Sequence, residues 1–203
     1  LFYRVYAGLD VLDRWAEIEN TGDAPIALED VQSAVFYPPR GKDYRISHLS
    51  GKWAGEYMLE RHALTQSKTV VESRRGVSGP DACPWVALDA QGRADEEDGE
   101  VYAVSLHWSG NWKITVECNR VEQARVTAGI NDFDFGWQLE PGETFRAPVA
   151  TAVYSGEGFG GASRRFHRYQ LEHLAPRAKA KAIRKVMFNS WEVFEFAVEE
   201  SQQ

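Results

Sequence analysis

Apolar and polar residues alternate with a period of two through most of the chain. The clearest case is Trp112–Cys118, in which every second residue is apolar or Cys, and residues 102–108 alternate in the same way. A period of two buries one face of a strand and leaves the other in water, which is typical of antiparallel sheets packed face to face. The pattern therefore predicts a mainly β protein that contains an antiparallel β-sandwich.

Turn residues between these segments predict how the strands connect. The sequence Ser-Gly-Asn at 109–111 separates the two segments just named, and Thr-Gly-Asp at 21–23 separates residues 14–19 from residues 26–37. Short turns of residues that tolerate positive φ often join paired strands. We therefore expect one β-hairpin around residues 109–111 and a further hairpin-like pair around residues 21–23.

A third alternating segment carries aromatic residues on one face. Residues 133–139 place Phe133, Phe135 and Trp137 on the same side, and Pro141-Gly142 ends the segment. Because large aromatic residues favour the interior, the pattern predicts a strand with a buried aromatic face, and Trp112 and Trp137 are both expected in the core. The carboxyl groups of Asp132 and Asp134 would then face solvent, although paired carboxyl groups are also what glycoside hydrolysis requires.

Three stretches depart from the alternation. Residues 89–100 are polar and acidic, which predicts a surface loop. Residues 163–174 carry apolar side chains at helical spacing before Pro176, which predicts a helix. The continuous apolar run at residues 186–188 is typical of a strand buried on both faces in a parallel sheet. We expect a second domain to begin near Ala182, with this strand unpaired if no partner strands are present.

Composition and charge exclude several classes of protein. The chain has 203 residues, of which 43% are hydrophobic, and its net charge is -7, so neither a nucleic acid nor a membrane is an expected partner. Cys83 and Cys118 form no CxxC motif, which argues against a disulfide framework or a zinc site and fits a cytoplasmic location. The chain opens on apolar residues without Met. We interpret it as a piece of a longer protein.

Two motifs that bind cofactors or metals in other proteins are weak here. Gly156, Gly158 and Gly161 match the spacing of a dinucleotide fingerprint, but the preceding strand alternates and no acidic residue lies about twenty positions further on. A turn into a helix is the favoured interpretation, with a nucleotide-binding module as the alternative. The five histidines include no HxH or HExxH pair. We expect neither a cofactor nor a metal.

Tryptophan is frequent in this chain, with seven residues among 203. Trp53, Trp85 and Trp191 lie outside the clean alternating segments, and each has polar residues or a Pro close by in sequence. An indole ring beside polar donors suits a sugar, whose C–H face stacks on the ring while its hydroxyls form hydrogen bonds. For Trp53 and Trp85, a ring that seals the edge of the core is an equally open interpretation.

Five segments together resemble the microbial α-galactosidases of glycoside hydrolase family thirty-six. Their order and spacing match the family, and the resemblance covers nearly the whole chain. The segments are HLSGKW at 48–53, ESRRGVS at 72–78, GINDFDFGW at 129–137, YSGEGFGG at 154–161 and NSWE at 189–192.

The resemblance implies a large enzyme with an N-terminal β-supersandwich, a linker helix, a (β/α)8 barrel and a C-terminal β-domain. This chain would comprise part of the supersandwich at residues 1–158, the linker helix and connector at 159–181, and the start of the barrel, including its first strand, at 182–203. The family hydrolyses terminal α-galactosyl groups of melibiose- and raffinose-type sugars with retention, using two aspartates on later barrel strands. No motif that carries those aspartates is present, so we expect no catalytic residue and no activity in this chain alone.

The resemblance also implies three sugar-contact residues. Trp191, with Asn189, matches the end of the first barrel strand, where barrel enzymes build their sites. In tetrameric relatives, supersandwich loops reach the sugar pocket of a neighbouring subunit, which makes Trp53 a candidate and implies a homo-oligomer. The chain departs from the family pattern at Ser190 and at residues 79–81. A non-catalytic carbohydrate-binding or oligomerisation sandwich and a raffinose-synthase-like transferase therefore stay open as alternatives.

Overall fold

The computed structural model describes residues 1–176 and 182–200. The described residues form strands that we number in chain order. They are β1 Phe2–Tyr6, β2 Val11–Trp15, β3 Glu17–Glu19, β4 Ile26–Leu28, β5 Gln32–Phe36, β6 Tyr44–Lys52, β7 Gly55–Ala63, β8 Lys68–Ser73, β9 Ala82–Ala90, β10 Val101–His107, β11 Trp112–Cys118, β12 Ala124–Ile130, β13 Trp137–Leu139, β14 Thr144–Arg146 and β15 Val149–Ser155.

Two large sheets and two small ones contain these strands. The larger sheet has seven strands in the order β1-β2-β15-β10-β9-β6-β7, and the second has four in the order β5-β12-β11-β8. Two-stranded ladders pair β13 with β4 and β14 with β3. Neighbouring strands are antiparallel in both large sheets, for example β10 with β15 and β11 with β12. The predicted fold class, mainly β with antiparallel sheets, is confirmed.

The core lies between the two large sheets and follows the period-two pattern of the sequence. In β11, the side chains of Trp112, Ile114 and Val116 are fully buried, whereas the residues between them are partly exposed. They join one apolar cluster with Ile46 and Leu88 of the seven-stranded sheet. Alternation therefore predicted correctly which face of β11 is buried.

The hairpin predicted around residues 109–111 is wrong. β10 pairs with β9 and β15 in the seven-stranded sheet, whereas β11 pairs with β12 and β8 in the four-stranded sheet. Between His107 and Trp112 the chain therefore crosses from one sheet to the other. A hairpin and a crossing both place a short polar turn between two alternating strands, so the sequence pattern is the same for the two.

The pairing predicted on either side of residues 21–23 is also wrong. β3 and β4 pair with distant strands, β14 and β13, and not with each other. Asn20 is buried between them and donates from Nδ2 to the carbonyl oxygens of Leu139, at 2.9 Å, and Ala24, at 2.9 Å. The bond to Leu139 joins the polar turn to a segment 119 positions away, and nothing in the local sequence indicates that partner.

The aromatic segment at residues 133–139 is a strand only in its last three residues, β13. Residues 132–136 form a turn and a loop, in which Asp134 has φ +53°. Trp137 is 50% exposed, and Phe133 is exposed as well. The predicted burial of this aromatic face, including Trp137, is therefore wrong, because residues 132–136 are not extended and the period of two does not apply to them.

One helix, α1, covers part of the outer face of the seven-stranded sheet. It spans Gly158–Tyr169, five residues earlier than the sequence predicted at its start, and a π-helical turn at Gln170–Leu174 follows it. Ala162 and Tyr169 pack with Ala87 and Ala103 in a second apolar cluster, and Phe159, Phe166 and Trp85 pack against it. Trp85 lies within β9, which favours the interpretation that it seals the core.

The chain divides into two compact units, Leu1–Tyr169 and Gln170–Gln203. In the second unit, the described residues include a short helix, α2, at Trp191–Phe194. Residues 186–188 form no strand and their side chains are exposed. A parallel strand needs neighbours to receive its hydrogen bonds, and the described residues of this unit contain none. Residues 177–181 of the predicted connector and 201–203 of the predicted barrel start lie outside the described residues.

No helix in the described part of the chain is long and apolar enough to cross a membrane.

Candidate functional site

Trp53 lies at the tip of the hairpin formed by β6 and β7 in the first unit. Its side chain is 87% exposed, and the next residue, Ala54, has φ +61°, as tight turns require. The seven-stranded sheet ends at β7, so one side of the hairpin has no neighbouring strand among residues 1–176 and 182–200. The predicted loop position of Trp53 is therefore confirmed, and its indole ring is available for contact with a ligand or another protein.

Asn189 and Trp191 lie together in the second unit. The backbone N–H of Trp191 donates to Oδ1 of Asn189 over 3.1 Å, which fixes the amide beside the first residue of α2. The indole ring packs edge to face on Phe196, with 4.8 Å between ring centroids, and half of the Trp191 side chain stays exposed. An exposed indole beside a side-chain amide offers both the stacking surface and the hydrogen-bonding groups that a sugar needs.

The glycines at 156–161 serve protein packing at the start of α1. The backbone N–H groups of Phe159 and Gly160 donate to the carbonyl oxygens of Asp95 and Glu96, both over 2.9 Å. The acidic loop at residues 95–99 thus occupies the helix N-terminus, where a dinucleotide would place its pyrophosphate. This geometry argues against the nucleotide-binding alternative and gives the predicted surface loop a capping role.

Gly158→Ala is expected to destabilise the first unit by about 2 kcal/mol. Gly158 has φ +65°, and an added Cβ would lie 2.5 Å from the carbonyl oxygen of Asp95, so the variant meets both backbone strain and a clash. The measurement is the change in urea midpoint by circular dichroism. Gly156→Ala is the matched control, because its Cβ would meet only Tyr154 Oη at 3.5 Å. Equal effects for the two variants would contradict the proposed role of Gly158.

A buried polar cluster, which the sequence analysis missed, fastens α1 to the sheet. The carboxyl group of Asp13 accepts hydrogen bonds from the hydroxyls of Tyr6 (2.6 Å), Thr151 (2.6 Å) and Tyr169 (2.8 Å). Nε2 of His107 lies 3.0 Å from Thr151 Oγ1. Asp13 lies on the same face of β2 as Val11 and Trp15. A charged residue on this apolar face is the feature of the sequence that could have indicated the cluster.

Burial favours the neutral forms of the titratable side chains next to Asp13. Burial lowers the pKa of His107, and the charge of Asp13 opposes that shift only in part. Burial also raises the pKa of Tyr169, with the hydrogen bond to Asp13 acting in the same direction. Since Thr151 gives its proton to Asp13, its oxygen accepts from the Nε2–H of a neutral His107. The cluster is a structural anchor for the end of α1, not an acid–base pair open to substrate.

Four segments of the chain meet at one end of the sandwich, where β8, β10 and β12 end. Each segment contains a family-like motif or lies next to one in sequence. Nδ2 of Asn131 donates to Glu72 Oε2 over 2.9 Å, and Nε1 of Trp112 donates to Ser78 Oγ over 3.0 Å. The backbone N–H of Gly51 donates to the carbonyl oxygen of Asp81 over 3.1 Å, which adds the hairpin of Trp53 to this end. We call this region the motif end.

Asp132 and Asp134, which the sequence pattern places on one side of a strand, are two of the carboxyl residues at the motif end. Asp132 forms an ion pair with Lys113, which lowers the pKa of that carboxyl group. Asp134 is exposed and has no ion pair among the described residues. The predicted solvent-facing position of both is confirmed. Within residues 1–176 and 182–200, no group of three or more His, Cys, Asp or Glu side chains could hold a metal ion.

Comparison with known protein families and structures identifies relatives over the whole chain. The model of the glycosyl hydrolase family 36 N-terminal domain matches residues 1–140, and the Melibiase model matches residues 144–203. Alpha-galactosidase AgaA of Geobacillus stearothermophilus is 37% identical over 203 residues, which are 100% of this chain and 27% of AgaA. Alpha-galactosidase Mel36A of Lactobacillus acidophilus is 33% identical over 202 residues, 100% of this chain and 27% of Mel36A.

Solved structures agree with these matches. The crystal structure of AgaA superimposes with a TM-score of 0.91 at 38% identity and covers 98% of this chain, which spans 28% of AgaA in that comparison. The α-galactosidase of Lactobacillus brevis gives a TM-score of 0.91 at 28% identity, again over 98% of this chain and 27% of the relative. Because the matched domain model alone covers residues 1–140, the chain belongs to glycosyl hydrolase family 36.

Proposed function

We propose that this chain is part of a retaining α-galactosidase that hydrolyses terminal α-galactosyl residues of melibiose- and raffinose-type oligosaccharides. The observation that carries the proposal is the match over the full chain to AgaA, at 37% identity. The chain spans 27% of AgaA, and we assign the two reacting carboxyl groups to the part of the enzyme that it does not contain. It contributes the sandwich, the linker helix and the start of the barrel.

The proposed division of labour follows the chain. Residues 1–158 would form part of the supersandwich, residues 159–181 the linker helix and connector, and residues 182–203 the start of the catalytic barrel. The start of α1 at Gly158 and the change of unit after Tyr169 support a boundary in this region. In the barrel, residues 186–188 would gain the neighbouring strands that a parallel strand needs.

We assign substrate contacts to Trp191, Asn189 and Trp53. The half-exposed indole of Trp191 and the amide of Asn189 suit a galactosyl ring, because the indole stacks on C–H groups while the amide binds hydroxyls. Trp53 would reach the sugar pocket of another subunit in a homo-oligomer. Its exposed hairpin supports this role, as do the exposed side chains of Tyr57, Met58 and Leu59 on the edge strand β7.

The charge of the chain supports the remaining assignments. A net charge of -7 disfavours binding to nucleic acid or to an anionic membrane surface, so we assign no such partner. Cys83 and Cys118 are both free, in keeping with a cytoplasmic, reducing environment.

A chimera tests the proposed activity. The 203-residue chain replaces the 27% of AgaA that it matches, and the chimera is assayed on raffinose and on an aryl α-galactoside. We expect release of galactose by the chimera and none by the chain alone. A folded chimera without activity would contradict the proposal. Transfer of galactose to sugar acceptors in place of hydrolysis would support the transferase alternative instead.

Substitutions of Trp191 in the chimera test its contact with substrate. Trp191→Ala is expected to lower kcat/KM by about tenfold or more, since a tenfold loss corresponds to about 1.4 kcal/mol of transition-state stabilisation. Trp191→Phe keeps a ring for stacking and should retain most of the activity. Phe196→Leu, which alters the ring behind Trp191, is the matched control. Unchanged kinetics in Trp191→Ala would remove this residue from the site.

A further inference from the structure

An aromatic cleft of about 260 Å³ lies at the motif end of the sandwich. Trp108, Phe133 and Trp137 line it, and each side chain is between 42% and 50% exposed. Asn111 and Asp134 add an amide and a carboxyl group to the same cleft. The sequence pattern predicts Phe133 and Trp137 in the core, whereas the structure places them at the surface together with polar groups.

The polar groups of the cleft are available to a ligand. The indole N–H groups of Trp108 and Trp137 and the carboxyl group of Asp134 form no hydrogen bond within the described part of the chain. The amide oxygen of Asn111 accepts from the backbone N–H of Gly76 over 2.6 Å, so its Nδ2 is left to donate. The residues that line the cleft therefore carry two indole donors, one amide donor and one carboxyl acceptor that are not engaged in these bonds.

Packing around the cleft holds its rings in place. Phe145 lies edge to face against Trp137, with ring centroids 5.5 Å apart. The guanidinium of Arg74 lies 4.6 Å from the centroid of Phe133 and is itself bound to Glu72 over 2.8 Å. Asn131 Oδ1 accepts from the backbone N–H of Phe133 over 3.0 Å. A ligand that enters this cleft meets a largely preformed surface, which reduces the entropy lost on binding.

We propose that this cleft binds the galactopyranosyl ring of an α-galactoside, as a sugar site built by the first unit. A volume of about 260 Å³ lies below the usual range for drug-sized ligands, roughly 300–1,000 Å³, and suits a single sugar ring. The axial 4-hydroxyl of galactose leaves one continuous C–H face to stack on indole, while the indole, amide and carboxyl groups bind its hydroxyls. The choice of galactose rests on the proposed function.

Fluorine NMR on the 203-residue chain tests the cleft directly. Tryptophan is replaced by 5-fluorotryptophan, and Trp108→Phe and Trp137→Phe assign the two cleft resonances. Addition of methyl α-galactopyranoside is expected to move both resonances with saturation in the millimolar range. The resonance of buried Trp112 should stay fixed and reports that the sandwich is folded.

Variants of the cleft separate sugar binding from loss of folding. Trp137→Ala is expected to weaken binding at least tenfold, and Asp134→Asn, a change at an exposed position, severalfold. Trp85→Phe is the control, because Trp85 packs against the cluster beneath α1 and not in the cleft. Equal shifts with methyl α-glucopyranoside would overturn the choice of galactose.

Two further outcomes would overturn the cleft as a sugar site. One is the absence of any saturable shift in the folded chain. The other concerns the AgaA chimera: the two cleft resonances shift when the chain is placed in the chimera and then no longer respond to sugar. That result would identify the cleft as a contact between protein segments. Neither outcome depends on the activity of the chimera, so failure here and failure of the proposed function are distinguishable.

Discussion

Replacing Asp13 with alanine is expected to destabilise the first unit by about 3–4 kcal/mol. Asp13 is 3% exposed and accepts hydrogen bonds from three hydroxyls, on β1, β15 and α1. In the variant, the buried hydroxyls of Thr151 and Tyr169 lose their hydrogen bonds to Asp13, and each hydrogen bond to a charged group is worth about 1.5–3 kcal/mol. The loss is measured by urea unfolding followed by far-ultraviolet circular dichroism.

Two controls show whether the cluster around Asp13 causes the loss. Asp13→Asn keeps the volume and one acceptor oxygen, so it should lose about half as much stability. Asp10→Ala removes a carboxyl group that is 60% exposed and paired with Arg165, and should change stability by less than about 1 kcal/mol. If Asp13→Ala and Asp10→Ala have similar effects, the cluster does not anchor α1 in the way we describe.

Trp112→Ala is expected to destabilise the same unit by about 3–5 kcal/mol. Its side chain is fully buried between the two large sheets, and truncation of a buried tryptophan loses apolar burial and leaves a cavity. The hydrogen bond from its Nε1 to Ser78 at the motif end is lost as well. Circular dichroism is the suitable probe, because the substitution also removes a fluorophore.

Trp53→Ala is the matched control for Trp112→Ala. Trp53 is exposed at a hairpin tip, so the same chemical change should alter the free energy of unfolding by no more than about 0.5 kcal/mol. Trp112→Phe should fall between the two, since it leaves a smaller cavity. A stable Trp112→Ala variant would mean that the interface between the sheets can collapse around the missing ring.

The sequence was sufficient for the buried face of β11 but not for the partners of β10 and β11. The alternation in β11 predicts its inward side chains, because a period of two in the strand's own residues places every second side chain on the same face. Whether β10 pairs with β11 or faces it across the core depends on strands far away in sequence. The turn residues at 109–111 are compatible with both arrangements. They therefore could not indicate that β11 belongs to the second sheet.

In the candidate site, too, local features could be predicted from the sequence and long-range contacts could not. The position of Trp53 in a turn follows from the polar, glycine-containing residues around it, which are a local signal, whereas its exposure was left open by the sequence. The cluster around Asp13 joins residues up to 156 positions apart, so only the inward position of Asp13 on β2 could have indicated it. The aromatic cleft escaped prediction because Asp134 adopts a positive φ, which ends the extended backbone on which the predicted burial of Phe133 depends.

The place of β15 in the sheet has a consequence for synthesis of the protein. This strand lies between β2 and β10, although it is the last strand of the unit to leave the ribosome. Until residues 149–155 emerge, β2 and β10 each present an open edge, and the sheet exists as two separate halves. Open strand edges can pair with other chains, so we expect a nascent chain that still lacks β15 to be prone to aggregation. Insertion of the final strand then joins the halves and brings Thr151 to Asp13.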